Sequence, residues 1–295
     1  MTKQLNLLIA IIVSLLLFAA CEDVIDVELL EGETALVVDA WVDNLAREQV
    51  ISLTLSQPFF DNSLPTGIED AVVTIQRSDD SQIVFTHRGD GQYIYDGTTT
   101  TIGEIGEVLD LSIVYQGVTY SATSRINRVP TIDSIGVEFR ENEIFSPDGL
   151  YAQFFSREPV GLGDTYWIRT FANGDFLNSA QELNIAFDAG FDGGAGVDGI
   201  IFIPPIRELT NRLDGNGLPI PYIEGDTVLV EIHSISNEGF RFLETARDQI
   251  SNGDNGLFSI PQANTRTNVT AEGGLTVLGF FNVAGVSEST RVIGE

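Results

Sequence analysis

The sequence predicts a mainly β protein, an N-terminal β-sandwich followed by a second β-rich domain that carries one prominent helix. Three observations predict it. Short runs of alternating apolar and polar residues recur from residue 35 to near the C-terminus, each closed by Gly, Asp or Asn. Only residues 238–250 repeat apolar side chains at helical spacing. Residues 127–131, Asn-Arg-Val-Pro-Thr, interrupt the strand pattern, which restarts after Pro130.

The chain opens on an apolar run, residues 5–20, preceded by a single cation, Lys3, and closed by Ala19, Ala20 and Cys21. Crossing a bilayer takes roughly 20 apolar residues, so this shorter run reads as a signal peptide over residues 1–20 and not as an anchor helix. The segment Leu15-Leu16-Leu17-Phe18-Ala19-Ala20-Cys21 resembles a bacterial lipobox. Cys21, the sole cysteine, is then the first residue of the mature chain, and its thiol carries diacylglycerol and acyl chains. Each buried methylene contributes about 0.8 kcal/mol, so several chains anchor the protein without a spanning helix. Residues 21–34 form an acidic tether.

From residue 35 the strand signals follow in order. Ile51, Leu53 and Leu55 alternate with Ser52, Thr54 and Ser56, the period of a half-buried antiparallel strand. Further runs fall at 36–42, 72–76, 83–87, 92–95, 109–115 and 118–123. Turn signals separate them, among them Asp79-Asp80-Ser81, Gly89-Asp90-Gly91 and Gln116-Gly117. Seven short strands over residues 35–129 are the signature of a sandwich of the immunoglobulin or fibronectin type III kind. A lone cysteine leaves no inter-sheet disulfide, and Trp41 reads as a core aromatic.

The second domain, residues 130–295, continues with β-runs at 135–139, 150–155, 166–171, 200–203, 227–233 and 275–283. Ser236 or Asn237 caps the helix, and Phe240, Leu243, Ala246, Arg247 and Ile250 give its stripe. Gly253 and the Asp-Asn-Gly that follows end it.

Without Lys3, the only charged residue before Cys21, the formal charge of −28 becomes −29. Such a surface repels nucleic acid, and the chain has no basic run and no phosphate-cradling P-loop. With one cysteine, disulfides and cysteine-rich zinc sites are excluded. No Gly-x-Ser-x-Gly elbow and no His-Glu-x-x-His helix is present, and the two histidines, His87 and His233, lie in strand-like runs. The sequence therefore offers no catalytic residue, and the expectation is a protein that is not an enzyme and needs no cofactor beyond its lipid.

Two loops stand out as candidate sites. Residues 188–199 interleave Asp188, Asp192 and Asp198 with glycines, a composition that folds around calcium. The spacing matches neither an EF-hand nor a tandem nonapeptide repeat, so a surface loop without metal is expected. Phe59 and Phe60 beside Pro58, and Phe191 within the Gly/Asp loop, are the candidate partner-binding aromatics.

Several segments in order carry a family resemblance: Cys21-Glu22-Asp23-Val24-Ile25-Asp26, Leu36-Val37-Val38-Asp39-Ala40-Trp41-Val42, Ser56-Gln57-Pro58-Phe59-Phe60-Asp61-Asn62, Pro130-Thr131-Ile132-Asp133-Ser134-Ile135, Asp164-Thr165-Tyr166-Trp167-Ile168-Arg169, Phe258-Ser259-Ile260-Pro261 and Leu278-Gly279-Phe280-Phe281. Together they resemble the domain-of-unknown-function 4249 family of Bacteroidota lipoproteins over almost the whole mature chain. Glu158-Pro159 departs from the Asp-Pro pair expected there, as does the long Gly-rich loop after Phe187. The resemblance implies an outer-membrane lipoprotein, exposed at the cell surface and frequently encoded beside TonB-dependent transporters, with no catalytic residues to carry over. The acidic tether resembles the sorting signal of surface-exported lipoproteins, and a solvated spacer accounts for it equally. The expected role is that of a non-catalytic accessory or ligand-capturing subunit of a TonB-dependent β-barrel transporter. A structural or adhesive envelope lipoprotein is the alternative.

Overall fold

The β-runs of the first half pair much as their alternation requires. The computed structural model describes residues 33–294 apart from 59, 60, 62, 145, 192–195, 209 and 253–263. Strands β1 (Leu36–Asp43), β2 (Glu48–Leu55), β3 (Val72–Gln76), β4 (Gln82–Gly89), β5 (Gln92–Asp96), β6 (Val108–Tyr115) and β7 (Val118–Arg125) follow one another without an intervening helix. In β2, Ile51 and Leu53 are buried while Ser52 and Thr54 are half-buried, as period two dictates.

These strands do not split into two separate sheets. They join two later strands, β14 (Thr270–Ala271) and β15 (Val277–Ala284), in one nine-stranded sheet ordered β14-β7-β6-β3-β4-β5-β2-β1-β15. Strand β4 makes this possible. Its first half, Gln82 to Phe85, pairs with β3, and its second half, Thr86 to Gly89, pairs with β5, so the sheet turns a corner within one strand. The folded-over faces enclose a core that includes Val38, Ile51, Leu53, Ile75, Leu109, Ile113 and Phe281. The two ends of the sheet also approach each other. The Val283 amide donates to Ser124 Oγ (3.0 Å), and Asn268 brackets Phe281 with one bond to its carbonyl (2.8 Å) and one from its amide (2.9 Å). The result is a sandwich-like arrangement closed into a near-barrel.

Strand β15 runs parallel to β1, with Val38 opposite Gly279. Gly279 has φ +91, and a Cβ there would collide with the Val38 carbonyl, so glycine is required at this close approach.

A second core lies under β10 (Thr165–Ala172), β13 (Thr227–Ile235) and β16 (Val286–Val292), with β11 (Asp175–Phe176) and β12 (Asn184–Phe187) both on the outer edge of β10. A two-stranded sheet, β8 (Ile132–Arg140) and β9 (Gly149–Ser156), packs onto it, and Phe154, Tyr166, Ile168, Phe202, Val230 and Ile232 fill the space between. Residues 200–203, read from sequence as a strand, form only an isolated bridge between Ile201 and Arg157. Phe202 is drawn into the second core, and that burial accounts for the apolar run without a ladder.

Residues Thr34–Glu295 form one compact unit. The strand pattern does restart after Pro130, as Ile126 lies in the first core and Ile132 in the second. Residues 270–284, expected in the second domain, instead supply two strands to the first sheet. The chain therefore crosses from the first core to the second before β8, returns between β13 and β14, and crosses again at Gly285, between β15 and β16.

The helix expected near 238–250 is α1 (Asn237–Asn252), and Ser236 caps it, its Oγ accepting from the Gly239 amide (3.0 Å). Phe240 and Leu243 are buried in a third cluster with Ile185 and Ile235. Trp41 packs into the same cluster, stacked on Phe280 and edge-on to Trp167, so it is a core aromatic that ties the helix to both large sheets. Ile250, placed in the buried stripe from sequence, is 72% exposed. The last turn overhangs a hollow of about 300 Å³ floored by Val37 of β1 and Leu278 and Gly279 of β15, so a gap separates Ile250 from the sheet. Among the described residues no helix is long and apolar enough to cross a membrane.

Candidate functional site

Antiparallel pairing of Thr165 with Phe187 starts two loops from one end of the second sheet, residues 157–164 before β10 and residues 188–201 after β12. The Asp188 amide donates to the Asp164 carbonyl (2.7 Å) and binds the two loops at their base. Above that bond, carboxylates and amides interlock. Asp188 Oδ1 accepts from the amides of Gly163 (2.7 Å) and Asp164 (3.1 Å), and Asp198 Oδ1 accepts from Gly161 (2.7 Å). In the opposite sense, Glu158 Oε2 accepts from the Gly199 amide (2.6 Å). Arg128 closes the clamp from the other side. It donates to Asp164 Oδ2 and to the carbonyls of Pro159, Val160 and Gly161. Charge-assisted bonds of this type hold backbone more firmly than neutral ones do.

The clamped loops turn apolar side chains outward. Val160 is 79% exposed, Leu162 76% and Phe191 44%, with Ile200 and Ile201 also exposed beside them. Val160 lies directly against Gly199, so the crown is continuous across both loops. Apolar groups held at a surface by a rigid base forgo about 1.5–3 kcal/mol each, the usual mark of a surface that is buried elsewhere.

Beneath the crown, Glu158 is 1% exposed, and its Oε1 lies 3.4 Å from the Tyr166 hydroxyl. Burial pushes the Glu158 carboxyl up to about 7. The Gly199 amide works against the shift, and Asp164 and Asp188 add to it.

A second polar cluster lies between the large sheets. Arg47, in the turn after β1, donates to both Asp43 and Glu231, while Gln49 Nε2 donates to Asp43 Oδ1 (3.0 Å). His233 Nε2 stands 2.7 Å from Glu231 Oε2. Burial pushes Glu231 up, but the bonds from His233 and Arg47 outweigh it and hold the carboxyl at about 2. Burial lowers the pKa of His233, and the bond to Glu231 works against that shift. Every charge here has a partner within the network except Arg169. A groove of about 720 Å³ runs between α1 and residues 264–270, with Phe242 and Phe280 among its lining residues.

The sequence candidates fall in different places. Phe191 lies exposed on the loop after β12, whereas Cys21, Phe59, Phe60 and Asp192 lie outside the described residues. Asp188 and Asp198 each give an oxygen to the clamp. Among the described residues no group of three or more His, Cys, Asp or Glu is arranged to hold a metal. His87 packs 5.2 Å from the Tyr93 ring. Sequence reasoning missed Arg128, Asp164, Val160 and Leu162, and met Glu158 only as a departure from a family pattern. The readable signal was Val160-Gly161-Leu162-Gly163, a loop that spends apolar residues where polar ones are usual.

The molecule is thus a mainly β protein with one helix, whose most unusual surface is an apolar crown on an ionic clamp. It belongs to the family described as a domain of unknown function, DUF4249, whose model matches residues 22–290. No curated protein matches the chain.

Proposed function

We propose that the protein is a lipid-anchored, surface-displayed accessory subunit that docks through its apolar crown on an outer-membrane transporter of the TonB-dependent β-barrel type. The single observation that carries this reading is the crown itself. Val160 and Leu162 are held outward on backbone fixed by four carboxylates and Arg128, so little conformational freedom is lost when a partner covers them. Lipidation of Cys21 supports the same reading from the sequence, because the tether of residues 21–34 keeps the compact unit beside the bilayer in which such a partner sits. The work done is binding, and it is supported by buried polar groups that bond chiefly to one another and to backbone.

The test is capture of the full-length protein from native membranes in mild detergent. A co-purifying β-barrel whose yield drops at least tenfold for Val160→Ser/Leu162→Ser, with the melting temperature unchanged, is the expected result. Retention of the barrel by that variant moves the interface elsewhere. Absence of any barrel partner for the wild type favours a structural or adhesive envelope protein.

A further inference from the structure

The face of the second sheet that carries Glu231 and His233 also carries a group that the crown and the inter-sheet network leave unused. Arg169 projects from β10 between Trp167 and Phe171, and β11 folds Phe176 over it. The guanidinium carbon lies 4.5 Å from the centre of the Phe176 ring, 5.1 Å from Trp167 and 5.5 Å from Phe171. Phe171 and Phe176 are themselves stacked, 5.0 Å apart, so the frame is rigid. Arg169 pairs in register with Glu231 on β13, but both oxygens of Glu231 are taken by Arg47 and His233.

Among the described residues the Arg169 guanidinium therefore donates no hydrogen bond to protein, and its Nε is fully buried without an acceptor. An arginine offers five N–H donors in a planar fork. Ring faces stabilise its charge but accept few of those bonds, so the desolvation of the fork is not offset. The half-exposed residue lacks an acceptor, and the shape of the fork states which one. Two parallel N–H groups match a carboxylate.

We propose that Arg169, framed by Trp167, Phe171 and Phe176, binds the carboxylate of an apolar or aromatic monoacid. Two further features narrow the class. With a formal charge of −28 the chain repels polyanions at long range, which favours a single negative charge over a phosphate. The three rings offer faces to an apolar body, and a bare anion has no use for them. This site lies on the sheet face, away from the clamped loops, and does not depend on the docking role of the crown.

The chain has two tryptophans, Trp41 and Trp167, with ring centres 5.4 Å apart, and one belongs to the frame, so intrinsic fluorescence reports the site. The full mature chain is titrated with benzoate, benzamide and inorganic phosphate. Benzoate gives a saturable fluorescence change with a dissociation constant of about 1 mM or below, within the range open to a ligand of this size. Benzamide and phosphate give none. Arg169→Met removes the benzoate response while the protein stays folded, and Arg169→Lys weakens it at least tenfold, because an ammonium cannot make the paired bonds. Equal responses to benzoate and benzamide, no saturable response from the wild type, or an undiminished benzoate response in either variant overturns the assignment. Should the methionine variant fail to fold, the lysine variant decides the matter alone.

Discussion

Two glutamates, Glu231 between the sheets and Glu158 under the crown, are at most 1% exposed, yet they titrate in opposite directions. Glu231 meets Arg47 and His233, and its carboxyl is held at about 2. Glu158 meets an amide, a tyrosine and two other carboxylates, and is pushed up to about 7. Burial is common to both, so the difference comes from the partners that the fold delivers. Arg47 reaches Glu231 across 184 residues of sequence, whereas Arg128, on the clamp beside Glu158, is committed to Asp164 and to three carbonyls. One region is built to keep a charge, and the other to keep a proton near neutrality.

Removing the cation should break the first half of the comparison with the largest effect. Arg47→Met leaves Glu231 and Asp43 buried without their arginine, and urea unfolding at pH 7 should show a loss of about 3 kcal/mol. Adding Glu231→Leu should recover part of that loss, since no bare carboxylate then remains at that position.

The pH profile sharpens the comparison. The native state keeps the Glu158 proton longer than the unfolded chain does, so between about pH 4.5 and about 7 Glu158 makes stability fall as pH rises. Glu158→Gln should abolish that slope and raise stability at pH 8 by roughly 1–3 kcal/mol. Glu231 acts with the opposite sign. Its contribution is complete above about pH 4.5 and is lost as pH falls toward about 2, so Glu231→Gln should lack this acid limb. Unfolding curves at a series of pH values separate the two limbs. If both slopes survive both substitutions, other groups produce them.

The smallest effect is expected from Arg128→Met, whose ion pair is half-exposed. Thermal unfolding should change by about 1 kcal/mol or less. The midpoint assigned to Glu158 should nevertheless move upward, because a nearby positive charge has gone.

Much of the β framework was legible because each half-buried strand writes its own alternation. Residues 72–76 are a strand in both readings, and the helix matches to within two residues at either end. Strand β16, Val-Ser-Glu-Ser-Thr-Arg-Val, was not legible, since polar residues face both sides along most of its length and its place is set by pairing with β13. The return of β15 to β1 was equally hidden, as nothing local in Leu278-Gly279-Phe280-Phe281 names a neighbour 241 residues away, although the glycine marks a close approach. The crown required knowledge that β10 and β12 end together. The environment of Glu158 required four residues from two loops that no spacing relates.

The parallel pairing of β15 with β1 orders events in the making of the molecule. Strand β1 is synthesised well before β15, and one of its edges has no partner until residue 284 exists. A nascent or truncated first half therefore presents an open strand ready to pair with any other chain, and the slow, non-local closure belongs to the finished polypeptide. Strand β1 waits for a partner made 241 residues later, so a chain cut at Pro130 yields an adhesive fragment in place of a free-standing module.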